Sequence, residues 1–371
     1  MLQGLSGYQV LGQPDIFSFT LHINYAMRSY LLLVTLVVAA WSCHKTDISE
    51  PGNVVPRTTL EDPQLPSLNI NGARLHLETF GDIQKPILVF VHGGPGGDYR
   101  AMISEKNLEN ASAYPAQRSL THAGLTRLQE DYFCVFFDQR GAGLSPRFDK
   151  GAVTIDHYLS DLDAIIDHFL AKKAAETGQQ DRQVYLFGWS FGGYLSTAYV
   201  NTHPEKVKDV VLYEPRPFTQ ASFDLLTLTT PFQQLSEDYV DEFITGSSYL
   251  LPNDHNAMDY QQTVGVTGNF FPEFNTPSQL PFWRHGFVVN KEVEQDIRRR
   301  DYSVIQNLSQ FKGRMLFLYG AKTKRDAMKP GFLELSTSYY PQSTAVEIPD
   351  AGHAGIWEKP AEVAAAVRQF L

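Results

Sequence analysis

The sequence predicts an open, mostly parallel α/β sheet with helices on both faces and an inserted, mainly helical cap. Three observations support this fold class. Continuous apolar runs end in glycines, as buried parallel strands do. Segments with helical spacing alternate with these runs. The alternation stops over residues 216–303, which are rich in aromatic residues, Pro, Gln and Asn. We therefore predict a core over residues 67–215 and 304–371 and a cap over residues 216–303.

The predicted elements follow one another in the order that such a sheet requires. The stretch "ARLHLETFG" alternates apolar and polar residues, which is typical of an exposed antiparallel strand. Buried strands that lead into glycines are "PILVFVHGGPGG", "YFCVFFDQRGAGLS" and "QVYLFGWSFGG"; helices are "TIDHYLSDLDAIIDHFLAKKA" and "YLSTAYVNTHPEKV", and "KDVVLYEP" is a further strand. After the cap, the strands "RMLFLYG" and "TAVEIPDAGH" precede the helix "PAEVAAAVRQFL". Cys134 falls within a strand and is expected to be a small buried apolar residue.

Composition and charge limit the classes of partner. The chain has 371 residues, of which 43% are hydrophobic and 19% are charged, and its formal net charge is −10. Its one basic triplet, Arg298 to Arg300, is flanked by acids, so nucleic acid is not an expected partner. Two cysteines support neither a disulfide framework nor a structural zinc site. The sequence has no HExxH, paired CxxC or P-loop motif, so neither a metal nor a cofactor is predicted.

The first 66 residues predict an exported leader followed by a tether. Residues 27–43 read "MRSYLLLVTLVVAAWSC", with a positive start, a short apolar stretch and small residues before a cysteine. We predict a leader over residues 1–42, with Met27 as the true start, and a flexible tether over residues 43–66. The pattern resembles the lipobox of bacterial lipoproteins. The resemblance implies lipidation of Cys43 and a membrane-anchored protein on the periplasmic or cell-surface side. The alternatives are a cleaved secretory peptide or an uncleaved anchor, with Cys43 incidental.

The stretch "GWSFGG" predicts a nucleophile at Ser190. A serine between a strand and a helix with glycines two residues away on either side is held out on a sharp turn. An acyl-transfer enzyme also needs donors for the oxyanion, and we expect the backbone N–H groups of Phe191 and Gly94 to supply them. His92 lies at the root of the loop that contains Gly94, where a structural role is favoured over that of a base.

The expected base is His353, in "IPDAGHAGIWEKP". Among the 11 histidines, this one combines a glycine-flanked turn after a strand with a late position in the chain. It would accept the Ser190 proton and return it to the leaving group.

These motifs resemble those of the α/β-hydrolase superfamily and, within it, of the proline iminopeptidase group. The matching stretches are "HGGPGG", "DQRGAGLS", "GWSFGG", "HPEKVKDVVL" and "GHAGIWEKP". The resemblance implies an α/β-hydrolase fold without a cofactor, and release of an N-terminal residue, often proline, through an acyl-enzyme on Ser190. We expect Asp138 and Arg140 of "DQRGAGLS" to brace that loop rather than to take part in catalysis.

The same resemblance implies a carboxylate that anchors the free amine of the substrate. Glu214, at the end of a core strand, is the best-placed candidate for substrate binding, and an ion pair with Arg216 is its alternative role. Further candidates lie in the predicted cap: Glu237, Asp241, Glu242 and Glu273.

The acid of the triad is the one position where this chain departs from the resembled pattern. In the superfamily the acid usually follows the strand here read as "RMLFLYG", often within G-x-x-D-x-x-x-P. Thr323 stands at that place, whereas Asp326 keeps the spacing to Pro330. We predict a loop three residues longer that delivers Asp326 to His353, with Lys324 and Arg325 pointing to solvent. The alternative is a surface Asp326 with Glu214 as the acid.

Three functions remain open at this point. The first is a serine aminopeptidase of proline iminopeptidase type that acts on small peptides. The second is an esterase, lactonase or amidase that uses the same triad on acyl substrates without a free amine. The third is a non-catalytic binding protein, which would require a missing triad member.

Overall fold

Eight strands form one sheet in the computed structural model, which describes residues 55–106, 122–227, 255–267, 282–300 and 304–371. In chain order the strands are β1 (Ser67–Ile70), β2 (Ala73–Phe80), β3 (Ile87–Val91), β4 (Phe133–Phe137), β5 (Val184–Trp189), β6 (Val207–Tyr213), β7 (Met315–Gly320) and β8 (Ser343–Ile348). The predicted leader and Cys43, the first residue of the predicted tether, lie outside the described residues. So do residues 43–54 of the tether and the cap carboxylates Glu237, Asp241, Glu242 and Glu273.

The sheet is parallel except at one edge. Its spatial order is β1-β2-β4-β3-β5-β6-β7-β8. Strand β2 pairs antiparallel with both β1 and β4, whereas every pairing from β4 to β8 is parallel. The predicted fold class is confirmed, including the antiparallel strand read from "ARLHLETFG". Because β5, β6 and β7 are neighbours and run the same way, their carboxyl ends lie at one edge of the sheet.

Helices connect these strands and cover the sheet. They are α1 (Arg100–Ile103), α2 (Ile155–Thr177), α3 (Phe191–Thr202), α4 (Gln220–Phe223), α5 (His255–Thr267), α6 (Phe287–Arg299), α7 (Ala321–Asp326), α8 (Phe332–Ser338), α9 (Gly355–Glu358) and α10 (Pro360–Phe370). None of the described helices is both long and apolar enough to cross a membrane.

Apolar side chains fill both faces of the sheet, as a parallel sheet requires. On one face, Ile165 of α2 and Leu195 of α3 belong to the same buried cluster as Val89 and Leu186 of the strands. On the other face, α10 contributes Val363 and its neighbours to a second cluster. Phe90 and Phe136 stack in that second cluster with ring centroids 4.0 Å apart. Burial on both sides keeps the strand ends rigid, and the site is built on them.

Three described helices, α4, α5 and α6, fall within the predicted cap, whose boundaries stay a prediction. Asp259 of α5 is fully buried and binds two arginines. Its Oδ2 accepts from Arg147 Nε at 2.6 Å and from Arg284 Nε at 2.7 Å, and its Oδ1 accepts from the N–H of Phe287 at 2.9 Å. A buried carboxylate needs such paired partners. These bonds therefore join α5 to Arg147 of the core and to the start of α6.

Candidate active site

Ser190 lies on a tight turn between β5 and α3. Its backbone has φ +55° and ψ −120°, a region that non-glycine residues rarely adopt. The turn also brings the start of α3 against the end of β3, since a Cβ atom on Gly192 would lie 2.0 Å from the carbonyl oxygen of Val91. This explains physically why a glycine follows the serine at that spacing, and the turn leaves Ser190 partly accessible at the edge of the sheet.

His353 lies in the loop between β8 and α9 and faces Ser190. The Ser190 hydroxyl donates to His353 Nε2 at 3.1 Å. Two bonds to the loop's own carbonyls hold it in place. Trp189 Nε1 donates to the oxygen of His353 at 2.9 Å, and the Tyr213 hydroxyl donates to the oxygen of Gly352 at 2.8 Å. The imidazole is thus positioned by the ends of β5 and β6.

Glu214 directly follows β6 and binds the other nitrogen of the imidazole. His353 Nδ1 donates to Glu214 Oε2 at 2.9 Å, and the backbone N–H of Gly320 donates to Oε1 at 2.7 Å. The Glu214 side chain is only 3% exposed. A Cβ atom on Gly320 would lie 2.3 Å from the oxygen of Ala351, so the glycine lets β7 approach the histidine loop closely. Ser190, His353 and Glu214 therefore form one hydrogen-bonded chain.

The prediction that Asp326 contacts His353 is wrong. The segment after β7 forms the short helix α7, which ends at Asp326 and carries its side chain to the surface. Both carboxylate oxygens of Asp326 accept from Arg325, at 2.7 Å and 2.6 Å, and this bond lowers the pKa of Asp326 below its usual value. Glu214 occupies the position on Nδ1 instead. The contacts agree with the alternative prediction, in which Asp326 lies at the surface and Glu214 lies beside His353.

The neighbouring charges lie as predicted, with one change of partner. The side chains of Arg325 and Lys324 are 66% and 50% exposed. Lys324 forms an ion pair with Glu347. Arg216 was the alternative ion-pair partner of Glu214. Its guanidinium forms a bidentate pair with Glu294 of α6, with N–O distances of 2.7 Å and 2.6 Å.

The two predicted oxyanion donors lie beside Ser190. Phe191 is the first residue of α3, where backbone N–H groups have no acceptor within the helix. Gly94 lies in the loop after β3 and lines the same cavity as Ser190 and His353. The positive end of the α3 dipole also points to this position and favours an anion there.

A cavity of about 230 Å³ opens beside Ser190. The polar residues that line it are Ser190, Glu214, Arg216, Thr323 and His353. The other described residues that line it are glycine, proline and apolar residues: Gly94, Pro215, Pro217, Phe223, Leu226, Ala327, Met328 and Phe332. A ligand in this cavity would contact the nucleophile through one end and an apolar surface through the rest.

The remaining motif residues brace the loops around the site, consistent with their predicted structural role. His92 Nδ1 donates to the oxygen of Gly93 at 2.7 Å, and Nε2 accepts from the N–H of Gln139 at 3.0 Å. Burial lowers the pKa of His92, which keeps this tautomer neutral. Arg140 forms two bonds to Asp161, at 2.9 Å and 2.7 Å.

The described residues contain no group of His, Cys, Asp and Glu side chains that could hold a metal ion. Three supporting residues were missed from the sequence: Trp189, Tyr213 and Gly320. The first two lie in apolar strands and read as core residues. Gly320 was visible only as the end of a strand, and nothing in one sequence indicates that its N–H binds a carboxylate.

Comparisons with known proteins identify the fold family. The family model described as "alpha/beta hydrolase fold" matches residues 86–360. A proline iminopeptidase of Neisseria gonorrhoeae is 31% identical over 139 residues, which cover 38% of this chain and 36% of that protein. The chain spans less than half the length of the curated relatives that it matches.

Two solved structures share the fold. A thermophilic esterase from Thermogutta terrifontis has a TM-score of 0.50 at 18% identity, covering 82% of this chain and 97% of the esterase. Est816, described as an N-acyl homoserine lactone degrading enzyme, has a TM-score of 0.51 at 17% identity, covering 82% of this chain and 100% of that chain. At these identities the similarity concerns the fold alone.

Proposed function

Because the chain belongs to the α/β-hydrolase fold family, we propose that it is a serine hydrolase that works through an acyl-enzyme on Ser190. The observation that carries the proposal is the hydrogen-bonded chain from Ser190 through His353 to Glu214. A serine joined to a base, which is in turn oriented by a carboxylate, is the arrangement that activates a hydroxyl nucleophile.

In the proposed mechanism each residue has one role. Ser190 Oγ attacks the acyl carbon while its proton passes to His353 Nε2. Glu214 accepts from Nδ1, fixes the tautomer and stabilises the imidazolium. The backbone N–H groups of Phe191 and Gly94 bind the developing oxyanion. His353 then protonates the leaving group, and water releases the acyl group by the same route in reverse.

For the substrate, we propose an aminopeptidase of proline iminopeptidase type that acts on small peptides. The support is the 31% identity to the Neisseria enzyme together with the motifs that resemble that group. The carboxylate that would bind the amine is not Glu214 in this proposal, since both of its oxygens already accept from His353 and Gly320. The cap candidates Glu237, Asp241, Glu242 and Glu273 lie outside the described residues and keep that role as a prediction.

The cavity lining favours a second candidate, an esterase, lactonase or amidase that acts on acyl groups without a free amine. Glu214 is the one carboxylate among the described lining residues, and it is engaged with the imidazole. An ammonium group in the cavity would therefore need a partner from elsewhere, whereas a neutral acyl group would not.

One experiment separates these functions. Prolyl-4-nitroanilide, its N-acetylated form and a simple 4-nitrophenyl ester are offered to the purified protein and to Ser190→Ala. An aminopeptidase hydrolyses the anilide whose proline amine is free and does not hydrolyse the N-acetylated form. The second candidate prefers the 4-nitrophenyl ester. A fluorophosphonate probe that labels neither protein, together with no turnover of any substrate, would leave a non-catalytic binding protein.

We also propose that the protein is exported and anchored through a lipid on Cys43. The support is the sequence pattern of residues 27–43. Metabolic labelling with a palmitate analogue is expected to mark the protein in a membrane fraction. Label that persists in Cys43→Ala, or no label at all, would contradict the proposal.

A further inference from the structure

The cavity beside Ser190 has a wall built from two segments that are far apart in the sequence. One is residues 220–227, which follow β6, and the other is residues 323–332, which follow β7. The N–H of Thr227 donates to the oxygen of Ala327 at 2.7 Å, and the N–H of Lys329 donates to the oxygen of Leu225 at 2.9 Å. Between these bonds, Leu226 and Met328 form an antiparallel bridge. We call this pair of segments the bridged wall.

The bridged wall presents apolar side chains to the cavity. Its lining members include Phe223, Leu226, Ala327, Met328 and Phe332. Among the described residues, those with a charge that border the cavity are Glu214, Arg216 and His353, and each is held by another side chain. Transfer of a charged group into such surroundings costs free energy unless it is paired, whereas transfer of apolar surface is favourable. The cavity therefore suits an uncharged apolar group.

We infer that this cavity is the acyl pocket of the enzyme, that it binds the apolar, uncharged part of the acyl group, and that Leu226 and Met328 set the length it accepts. The inference rests on the proposed serine hydrolase chemistry, because it takes Ser190 as the nucleophile. It favours the second candidate substrate class over the aminopeptidase, whose acyl group carries an ammonium. It goes beyond that function by naming the chemical class of the acyl group and the residues that select it.

Leu226 and Met328 are two lining residues whose size can be changed at low cost. Both line the cavity and both are only partly buried. As bridge partners their Cβ atoms lie close together, so they act as a single apolar element across the wall. Phe332, in contrast, is 2% exposed and belongs to the core. Shortening Leu226 or Met328 should therefore lengthen the pocket without emptying the core.

The test measures how the rate of Ser190 labelling depends on chain length. Ethyl, butyl, hexyl, octyl and decyl fluorophosphonates are applied to the full chain, to Leu226→Ala and to Met328→Ala. In the two variants we expect the preferred alkyl group to become longer by about two methylene groups, with about a tenfold gain for the longer probe relative to the shorter one. The matching 4-nitrophenyl acyl esters should show the same shift in kcat/KM.

Leu333→Ala is the matched control. Leu333 lies in α8 next to Phe332 and is partly buried, but it is not among the lining residues. It should keep the wild-type chain-length profile. If both pocket variants also keep that profile while remaining folded, or if the control shifts as much as they do, the inference is wrong.

A second comparison tests the inference that the bound part of the acyl group is uncharged. An ammonium or carboxylate at the end of the six-carbon acyl chain of the 4-nitrophenyl ester should lower kcat/KM by about a hundredfold, because the charge would be buried without a partner. Equal turnover of charged and neutral esters would overturn the inference. These outcomes differ from a failure of the proposed function, in which no probe labels Ser190 at all.

Discussion

Ser190 and Glu214 share an unusual backbone conformation. Their φ angles are +55° and +40°, where an L-residue is strained by about 1–3 kcal/mol. Each is held by a backbone bond to the next strand. The N–H of Ser190 donates to Tyr213 at 3.1 Å, and the N–H of Glu214 donates to Leu318 at 2.8 Å. Strained residues held by the sheet in this way are typical of functional positions, which supports the proposed roles of both.

At the residue scale, Glu214→Gln is expected to lower kcat by about 10³- to 10⁴-fold. The amide cannot stabilise the imidazolium as a carboxylate does. Asp326→Asn is the matched control, since Asp326 binds Arg325 at the surface, and it should keep near-normal activity. Initial rates on a 4-nitrophenyl ester, with circular dichroism to verify folding, check both. The assignment of Glu214 fails if the two variants exchange these outcomes.

At the element scale, the proposed acid Glu214 can follow β6 rather than β7 because these two strands are adjacent and parallel. Their carboxyl ends are neighbours at the sheet edge, so a carboxylate that follows either strand can approach His353. In this chain the residue after β6 is Glu214, and the segment after β7 turns into α7. The N–H of Gly320, at the end of β7, still contacts the carboxylate.

This contact leads to a prediction for Gly320→Ala. The added methyl group would lie 2.3 Å from the oxygen of Ala351, so the histidine loop must shift. A displacement of about 1 Å at a catalytic group can cost about 10²-fold in rate. We expect kcat to fall by about that factor, while the rate of Ser190 labelling falls in parallel. Ala321→Gly, one residue later, is the control and should leave both rates close to wild type.

The sequence predicts strands β2 to β8, their mostly parallel arrangement and the positions of Ser190 and His353, but not the edge strand β1. Continuous apolar runs and glycine turns are local patterns, and each of these elements follows from one. The acid is different, because its position depends on which of two adjacent strand ends approaches His353 in three dimensions. Both Asp326 and Glu214 follow apolar strands, so the strands do not distinguish the two candidates. The difference is the helix over residues 321–326, which carries Asp326 to the surface. The sequence predicts a loop there, so it predicts neither this helix nor its effect on Asp326.

At the scale of the whole molecule, buried neutral histidines couple stability to pH. Burial lowers the pKa of His285, which precedes α6, to about 3, and it also lowers the pKa of His92. The unfolded chain binds protons at these sites below pH ~6.5, whereas the folded chain does not. Stability should therefore fall as the pH drops from about 6.5 towards 3.

For His285 alone, the loss of unfolding free energy between pH 7 and pH 5 should be about 2 kcal/mol. His285→Leu should remove this part of the pH dependence. The measurement is urea unfolding of both proteins at the two pH values. His122→Gln, at an exposed histidine, is the control and should leave the slope unchanged. An identical slope in wild type and His285→Leu would contradict the prediction.

The position of Glu214 has a consequence for how the substrate preference of this protein could evolve. In the proposed mechanism, proton transfer depends on residues after β5, β6 and β8, whereas residues 323–332 contribute no group to it. Mutations in that segment can then alter which substrates are accepted without disturbing the catalytic groups. Libraries confined to residues 323–332 should accordingly yield many active variants with new preferences. In a relative whose acid lies in the same loop, most such variants would be inactive.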